Sequence, residues 1–290
     1  MKTIMTILCA LCAIGLLSHT AYAQAPEVPL EQNVFYPQAE AAPEEVSLPI
    51  IMYHLITEKP KYIGKYGVTP AEVEQDLAYL KAAGFTTVFM ADIINFVHKG
   101  EPLPPKPILL TFDDGNASDF TYLLPLLQQY DMKAVLAIIG DATDKYTADS
   151  KKNTKAKYPN LTWEQVQALH GSGHIEVQSH GYNVHGKLGS GKKSGEGQEA
   201  YHKRLLADLM QLQAACEANL SYLPNTFVYP LGIVGQNSRA VLEELGMEAS
   251  LGCEEGINTL RQGHVDCLFK MHRYNRPSGK TVESILRKYQ

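Results

Sequence analysis

Pro107-Ile108-Leu109-Leu110-Thr111-Phe112-Asp113-Asp114-Gly115 is the stretch on which the fold turns. Its opening run, Pro107 to Phe112, is apolar, of strand length and closed by turn-forming residues, so it reads as a buried strand. Two adjacent carboxylates stand just past the strand end. Like charges that close do not both stay ionised cheaply unless a cation lies between them or one takes a proton. A metal that engages one carboxylate and leaves the other as a base resolves the conflict. The bland reading is a tight turn, which Asp and Gly both suit.

The same strand–helix pattern extends in both directions. Leu48 to His54 reads as the first strand. Thr69-Pro70 opens a helix, with threonine as N-cap and proline at the first position. Val73, Leu77 and Leu80 form its apolar stripe and Gly84 ends it. Further strands are expected at 85–90, 133–139, 175–179, 226–229, 248–251 and 268–271, and helices at 93–98, 118–130, 162–170, 200–220, 238–245 and 280–290. Leu205, Leu209, Leu212, Cys216 and Leu220 mark the buried face of the longest helix. Residues 141–160 and 186–199 read as polar loops. Strands alternating with helices imply parallel pairing through right-handed crossovers. The fold class is α/β, and about seven to eight units fit an irregular (β/α) barrel, with a doubly wound open sheet as the competitor. Either fold puts its site at the carboxyl ends of strands.

Three segments follow strands at that end: Asp113-Asp114, then His180 and His185 after strand 175–179, and Tyr229-Pro230-Leu231-Gly232 after strand 226–229. Barrel geometry would bring all three to one rim. Histidines five apart do not share a helix face, so they converge only if the backbone turns between them, which Gly181 permits. His54 ends the first strand, either at the rim or as a simple terminus. His98, His170, His174 and His202 fall in or beside helices and read as solvated.

Lys2, the apolar stretch from Ile4 to Leu17 and Ala21-Tyr22-Ala23 make residues 1–23 a secretory signal, with a membrane anchor as the alternative. Residues 24–46, rich in Ala, Pro and Glu, read as a flexible tether to a catalytic domain at 47–290. No stable membrane span is expected after cleavage. A net charge of −5 gives no reason to expect nucleic acid as a partner. Cys253 and Cys267 are the plausible disulfide pair in an oxidising compartment, or else two unpaired small residues.

Thr-Phe-Asp-Asp-Gly, the paired histidines after a strand, Tyr-Pro-Leu-Gly and the opening Leu-Pro-Ile-Ile-Met-Tyr-His resemble the polysaccharide deacetylases, carbohydrate esterase family 4, over residues 48–277. The resemblance implies the NodB-like deacetylase barrel. It makes Asp113 the catalytic base and Asp114, His180 and His185 the metal ligands. It makes the Leu231 N–H an oxyanion donor, with Pro230, Tyr229 and Tyr182 beside the substrate. Most members space the two histidines by four. The spacing of five resembles the branch of poly-β-1,6-N-acetylglucosamine deacetylases. Many members carry an arginine where Val228 stands, so Arg273 is the candidate to orient Asp113. His272 is the candidate general acid, ahead of His264.

What the resemblance implies is a secreted enzyme with one divalent ion, Zn2+ first, with Co2+, Ni2+ or Fe2+ as alternatives. The partner is an extracytoplasmic glycan polymer carrying N-acetylglucosamine, acted on at the cell wall, in the periplasm or at the cell surface by a monomer. Two other readings stay open: an O-acetyl esterase on xylan or a similar glycan, and a non-catalytic carbohydrate-binding protein on the same fold. A ferrous oxygenase with two histidines and a carboxylate would place its aspartate near the first histidine, and here it lies far upstream. Tyr182, Trp163 and Tyr229 could stack on sugars, and equally could be core. The lysines of 187–193 read as a solvated loop.

Overall fold

The central apolar run forms β6 (Pro107–Asp114), the longest strand of the computed structural model, which describes residues 45–149 and 158–287. One sheet runs in the order β10 (Ala249–Leu251), β9 (Thr226–Val228), β8 (Ile175–Ser179), β7 (Ala134–Ile138), β6, β2 (Ile50–Tyr53), β12 (Tyr274–Asn275), and β5 (Thr86–Thr87) joins the start of β6. All these pairs are parallel. Gly252 N donates to Met271 O and Met271 N to Ser250 O, both at 2.9 Å. The chain leading into β12 thus bridges β10 to β2 and curls the sheet into an irregular barrel.

Helices α1 (Pro70–Ala82), α2 (Met90–Lys99), α3 (Leu124–Tyr130), α4 (Gly140–Ala148), α5 (Trp163–Gly171), α6 (Gln198–Leu220), α7 (Ser238–Glu244) and α8 (Val282–Leu286) complete the alternation. Thr69 accepts from Glu72 N while the Glu72 carboxylate accepts from Thr69 N, a reciprocal cap that fixes where α1 begins. Thr162 and Gln165 do the same for α5.

Strand alternation sorts the core into two layers. Ile108, Leu110 and Phe112 pack outward among residues of α1, α3 and α5. Leu109 faces the other way, with Val135, Val228 and Leu251, joined by Leu48, Leu260 and the apolar face of α2. The inward series Leu109, Thr111, Asp113 therefore ends in a carboxylate, and this is how the fold aims its site.

Several expectations need correction. The strand expected at 85–90 is only Thr86–Thr87, because α2 starts at Met90, where the Glu176 carboxylate accepts from the Met90 and Ala91 N–H groups. The polar loop at 141–160 contains α4, and residues 150–157 lie outside the described ones. A π-helical turn, Asp119–Leu123, precedes α3. Residues 265–268 form a 3-10 turn, with Met271 making only a bridge. β1 (Glu45–Leu48) pairs antiparallel with β11 (Asn258–Arg261). The expected signal, nearly all of the tether and residues 288–290 lie outside the described residues. No helix among the described residues is long and apolar enough to cross a membrane.

Candidate active site

Asp113 continues the inward series of β6 and is 2 % exposed. Strict alternation would send Asp114 to the opposite face. Its backbone is left-handed instead (φ 78°), as is that of Gly115 (φ 64°), so both carboxylates open onto one cavity. A non-glycine residue held there is a strained position of the kind found at functional sites. Gly181 sits at φ 82°, and a Cβ on it would lie 2.3 Å from Val184 Cγ2. That turn carries the chain from His180 to His185 on the same side.

His185 Nε2 lies 3.2 Å and His180 Nε2 3.6 Å from Asp114 Oδ1, and the two imidazole centroids are 4.9 Å apart. One ligand atom from each of the three residues lies within 4.8 Å of the others. His180 Nδ1–H donates to the Val228 carbonyl at 2.7 Å, which leaves Nε2 with its lone pair toward Asp114. Burial lowers the His180 pKa, against the pull of Asp113 and Asp114, and so favours that neutral form. The His185 pKa is raised, first by its hydrogen bond to Asp114. Asp114 Oδ1 is buried without a good hydrogen-bond partner. A carboxylate and two imidazoles thus turn ligand atoms toward one point, with His185 leaning on Asp114 across it. The donor set fits a divalent cation with open positions, as in catalytic rather than structural sites.

Arg273, one residue before β12, reaches Asp113 past β2. Nη1 reaches Oδ1 at 2.7 Å and Nη2 reaches Oδ2 at 2.9 Å, while Nε donates to Gly252 O at 2.7 Å and Nη1 also reaches Thr111 Oγ1 at 3.1 Å. Arg273 is 0 % exposed. Burial would push the Asp113 carboxyl up, but the Arg273 charge and fork, with His180 and His54 adding to the field, hold it well below the usual range. Val228, at the position where an arginine was expected, contributes its backbone carbonyl to His180 instead.

The cavity of about 510 Å³ is lined by Asp113, Asp114, His180 and His185 and, around them, by Met52, His54, Tyr66, Leu231, Cys253 and Glu255. Leu231 is 56 % exposed with a left-handed backbone (φ 59°). Other expected residues lie elsewhere. His272 is not among the cavity-lining residues; its neighbour Arg273 takes the inward position, and the His272 backbone is tied to Asn258. His264 is exposed in the turn before residue 265. Tyr229 and Pro230 are buried, with the Tyr229 hydroxyl on Ser238, and neither is among the cavity-lining residues. The Tyr182 hydroxyl and Trp163 Nε1 both donate to Asp144 at 2.6 Å, locking these rings into the α4–α5 wall. Cys253 and Cys267 are free thiols; Cys253 Sγ lies 3.6 Å from Arg273 Nη2.

His54 is the residue that the sequence reading left open. It lines the cavity, its Nδ1 is buried without a partner, and its charge is felt at Asp113 and Asp114. The available signal was its position one residue past an apolar strand, the same placement as the two aspartates. Asp119, fully buried with both oxygens unpartnered, is a third carboxyl near the pair; burial and the charges of Asp114 and Asp113 push it well above its ordinary value.

Comparison with known proteins fits this geometry. The family model for polysaccharide deacetylase matches residues 100–250, the span that holds Asp113, Asp114, His180, His185 and Leu231. The chain belongs to the polysaccharide deacetylase family. It is 25 % identical over 251 residues to the poly-beta-1,6-N-acetyl-D-glucosamine N-deacetylase of Escherichia coli K12, covering 79 % of this chain and 37 % of that protein. It therefore spans little more than a third of that relative. It is 22 % identical over 200 residues to the enzyme of the same description from Staphylococcus aureus N315, covering 67 % of this chain and 64 % of the relative. The fold matches a de-N-acetylase from Aggregatibacter actinomycetemcomitans, with TM-score 0.70 and 19 % identity over 83 % of this chain and 99 % of the other. It also matches IcaB from Ammonifex degensii, with TM-score 0.66 and 20 % identity over 80 % and 92 % of the two chains.

Proposed function

We propose that this deacetylase-family protein is a secreted, metal-dependent N-deacetylase of β-1,6-linked N-acetylglucosamine polymer. The convergence of Asp114, His180 and His185 around unsatisfied lone pairs, with Asp113 clamped alongside, is the observation that carries the reading. The substrate class is that of the Escherichia coli and Staphylococcus aureus relatives, and the five-residue histidine spacing supports it. Residues 1–23 would be removed on export and 24–46 would tether a monomeric domain; the mature protein should then begin at Gln24, which mass spectrometry checks.

Asp114, His180 and His185 would hold one divalent ion, Zn2+ in the first instance. Such an ion supplies Lewis acidity to the acetyl oxygen and acidifies a water at neutral pH. Asp113 takes the proton of the attacking water. Arg273 occupies both its oxygens from behind, so the proton is accepted on a lone pair facing the cavity. The Leu231 N–H stands as oxyanion donor at the rim. His54, in place of His272, delivers a proton to the departing amine. The Arg273 clamp also removes the main reason for a non-catalytic reading, since the base is oriented without an arginine at 228.

The test is a single assay. A β-1,6-linked N-acetylglucosamine pentasaccharide should release acetate and free amine in equal amounts, lose both with chelator, and regain both with added Zn2+. Glycan binding without acetate release would overturn the enzymatic reading. Acetate without new amine, from an O-acetylated glycan only, would assign an esterase.

A further inference from the structure

Tyr66 is 50 % exposed at the mouth of the same cavity. A lone exposed tyrosine needs no explanation. This one is held in place by an unusual number of backbone ties. Leu55 N donates to Tyr66 O at 3.0 Å, Gly64 N to Gly67 O at 2.9 Å, Ser278 N to Gly64 O at 2.9 Å, and Asn275 Nδ2 to Lys65 O at 2.9 Å. The loop is thus tied to β3 (Leu55–Ile56) through β4 (Gly67–Val68) and to the segment after β12. It also turns so tightly that a Cβ on Gly67 would fall 2.0 Å from Tyr62 O. Folding has already met the ordering cost of this ring, which a ligand would otherwise meet on binding.

Inside the cavity the ring meets the His54 imidazole, at 4.8 Å between centroids and tilted by 55°. The Lys65 ammonium lies over the ring, 4.9 Å from its centroid, on an exposed side chain that a sugar face would displace. Elsewhere on the rim stand exposed Leu231 and Glu255. An aromatic face, an aliphatic side chain and a carboxylate suit a pyranose, which carries an apolar C–H face and a belt of hydroxyls.

We propose that Tyr66 is the stacking platform for the sugar next to the one undergoing deacetylation, and so makes the enzyme prefer polymer to monomer. The inference rests on the glycan reading above. Tyr66→Ala and Tyr66→Trp in Zn2+-loaded enzyme test it, against the β-1,6-linked pentasaccharide and N-acetylglucosamine itself. Tyr66→Ala should raise KM for the pentasaccharide about tenfold, with kcat kept, while kcat/KM for the monosaccharide is unchanged and Tyr66→Trp stays near wild type. An unchanged pentasaccharide KM would overturn the proposal. So would an equal fall in kcat on both substrates, which would mean that the ring acts through His54. If wild type releases no acetate from either sugar, the function is misassigned. Calorimetric titration of pentasaccharide into metal-free protein then still decides the stacking role, by loss of binding in Tyr66→Ala with retention in Tyr66→Trp.

Discussion

Two buried arginines three residues apart make opposite uses of the same chemistry. Arg273 points into the barrel and grips Asp113 with both Nη groups. Arg276 points outward to Asp76 on α1, bonding it through Nε alone at 2.6 Å while Nη1 goes to Pro277 O. Asp76 also accepts from Tyr53 Oη and Val282 N, both at 2.9 Å. At Asp76, burial outweighs these partners and the carboxyl is pushed up; at Asp113 the fork and the nearby histidines outweigh burial and the carboxyl is held down. A buried Arg–Asp contact therefore leaves its carboxyl raised or lowered according to whether the guanidinium grips both oxygens and further positive groups stand near, not according to the number of donors.

The strongest way to break this contrast is to remove each carboxylate in turn. Asp113→Asn and Asp76→Asn both strand a buried guanidinium and should cost about 3–5 kcal/mol in urea unfolding. Below the unfolding transition, only Asp113→Asn should also lose about 10²–10⁴-fold in kcat, with Zn2+ stoichiometry intact. Equal loss of kcat in Asp76→Asn would erase the distinction. A smaller effect is expected from Arg273→Lys, which keeps the charge and loses the fork. Its kcat should fall by less than that of Asp113→Asn, and its metal content by atomic absorption should not change.

The mildest tests use pH, on two glutamates away from the site with opposite shifts. Burial pushes Glu72 up, but Thr69 N–H, Gly279 N–H, the Ser278 hydroxyl and Arg276 outweigh it and hold the pKa at about 2. Its contribution to stability is complete above the usual 4.5 and is lost as pH falls from there through about 2. Glu176 is pushed by burial to about 7, although Met90 and Ala91 N–H groups bond it. The folded state then keeps a proton that the unfolded chain has lost, so stability falls as pH rises from 4.5 through about 7. Urea midpoints across pH should lose the acid-side slope in Glu72→Gln and the slope between 4.5 and 7 in Glu176→Gln.

The parallel core strands were legible because each is a short apolar run with turn residues at its end, and the chemistry stands directly after them, as at Asp113, Asp114, His180 and His185. The site is less legible where a residue acts across the fold. Nothing local distinguishes Arg273 from His272, because only the register of the last strand decides which faces inward. Tyr229 and Tyr182 read as rim aromatics, yet burial holds one and the Asp144 hydrogen bond the other, and neither lines the cavity. α4 escaped notice because its sequence is mostly polar, and the β1–β11 pair because each strand is only four residues long.

The position of β12 has a consequence for biosynthesis. Tyr274 and Asn275 dock beside Ile51 and Met52, so the last strand of the barrel seats against the first to be made. The clamp on Asp113 arrives only when residue 273, 160 residues further along, has left the ribosome. A product truncated before residue 273 would carry the three metal-binding side chains and no clamp. Such a product should be inert, so activity would report that synthesis had passed residue 273.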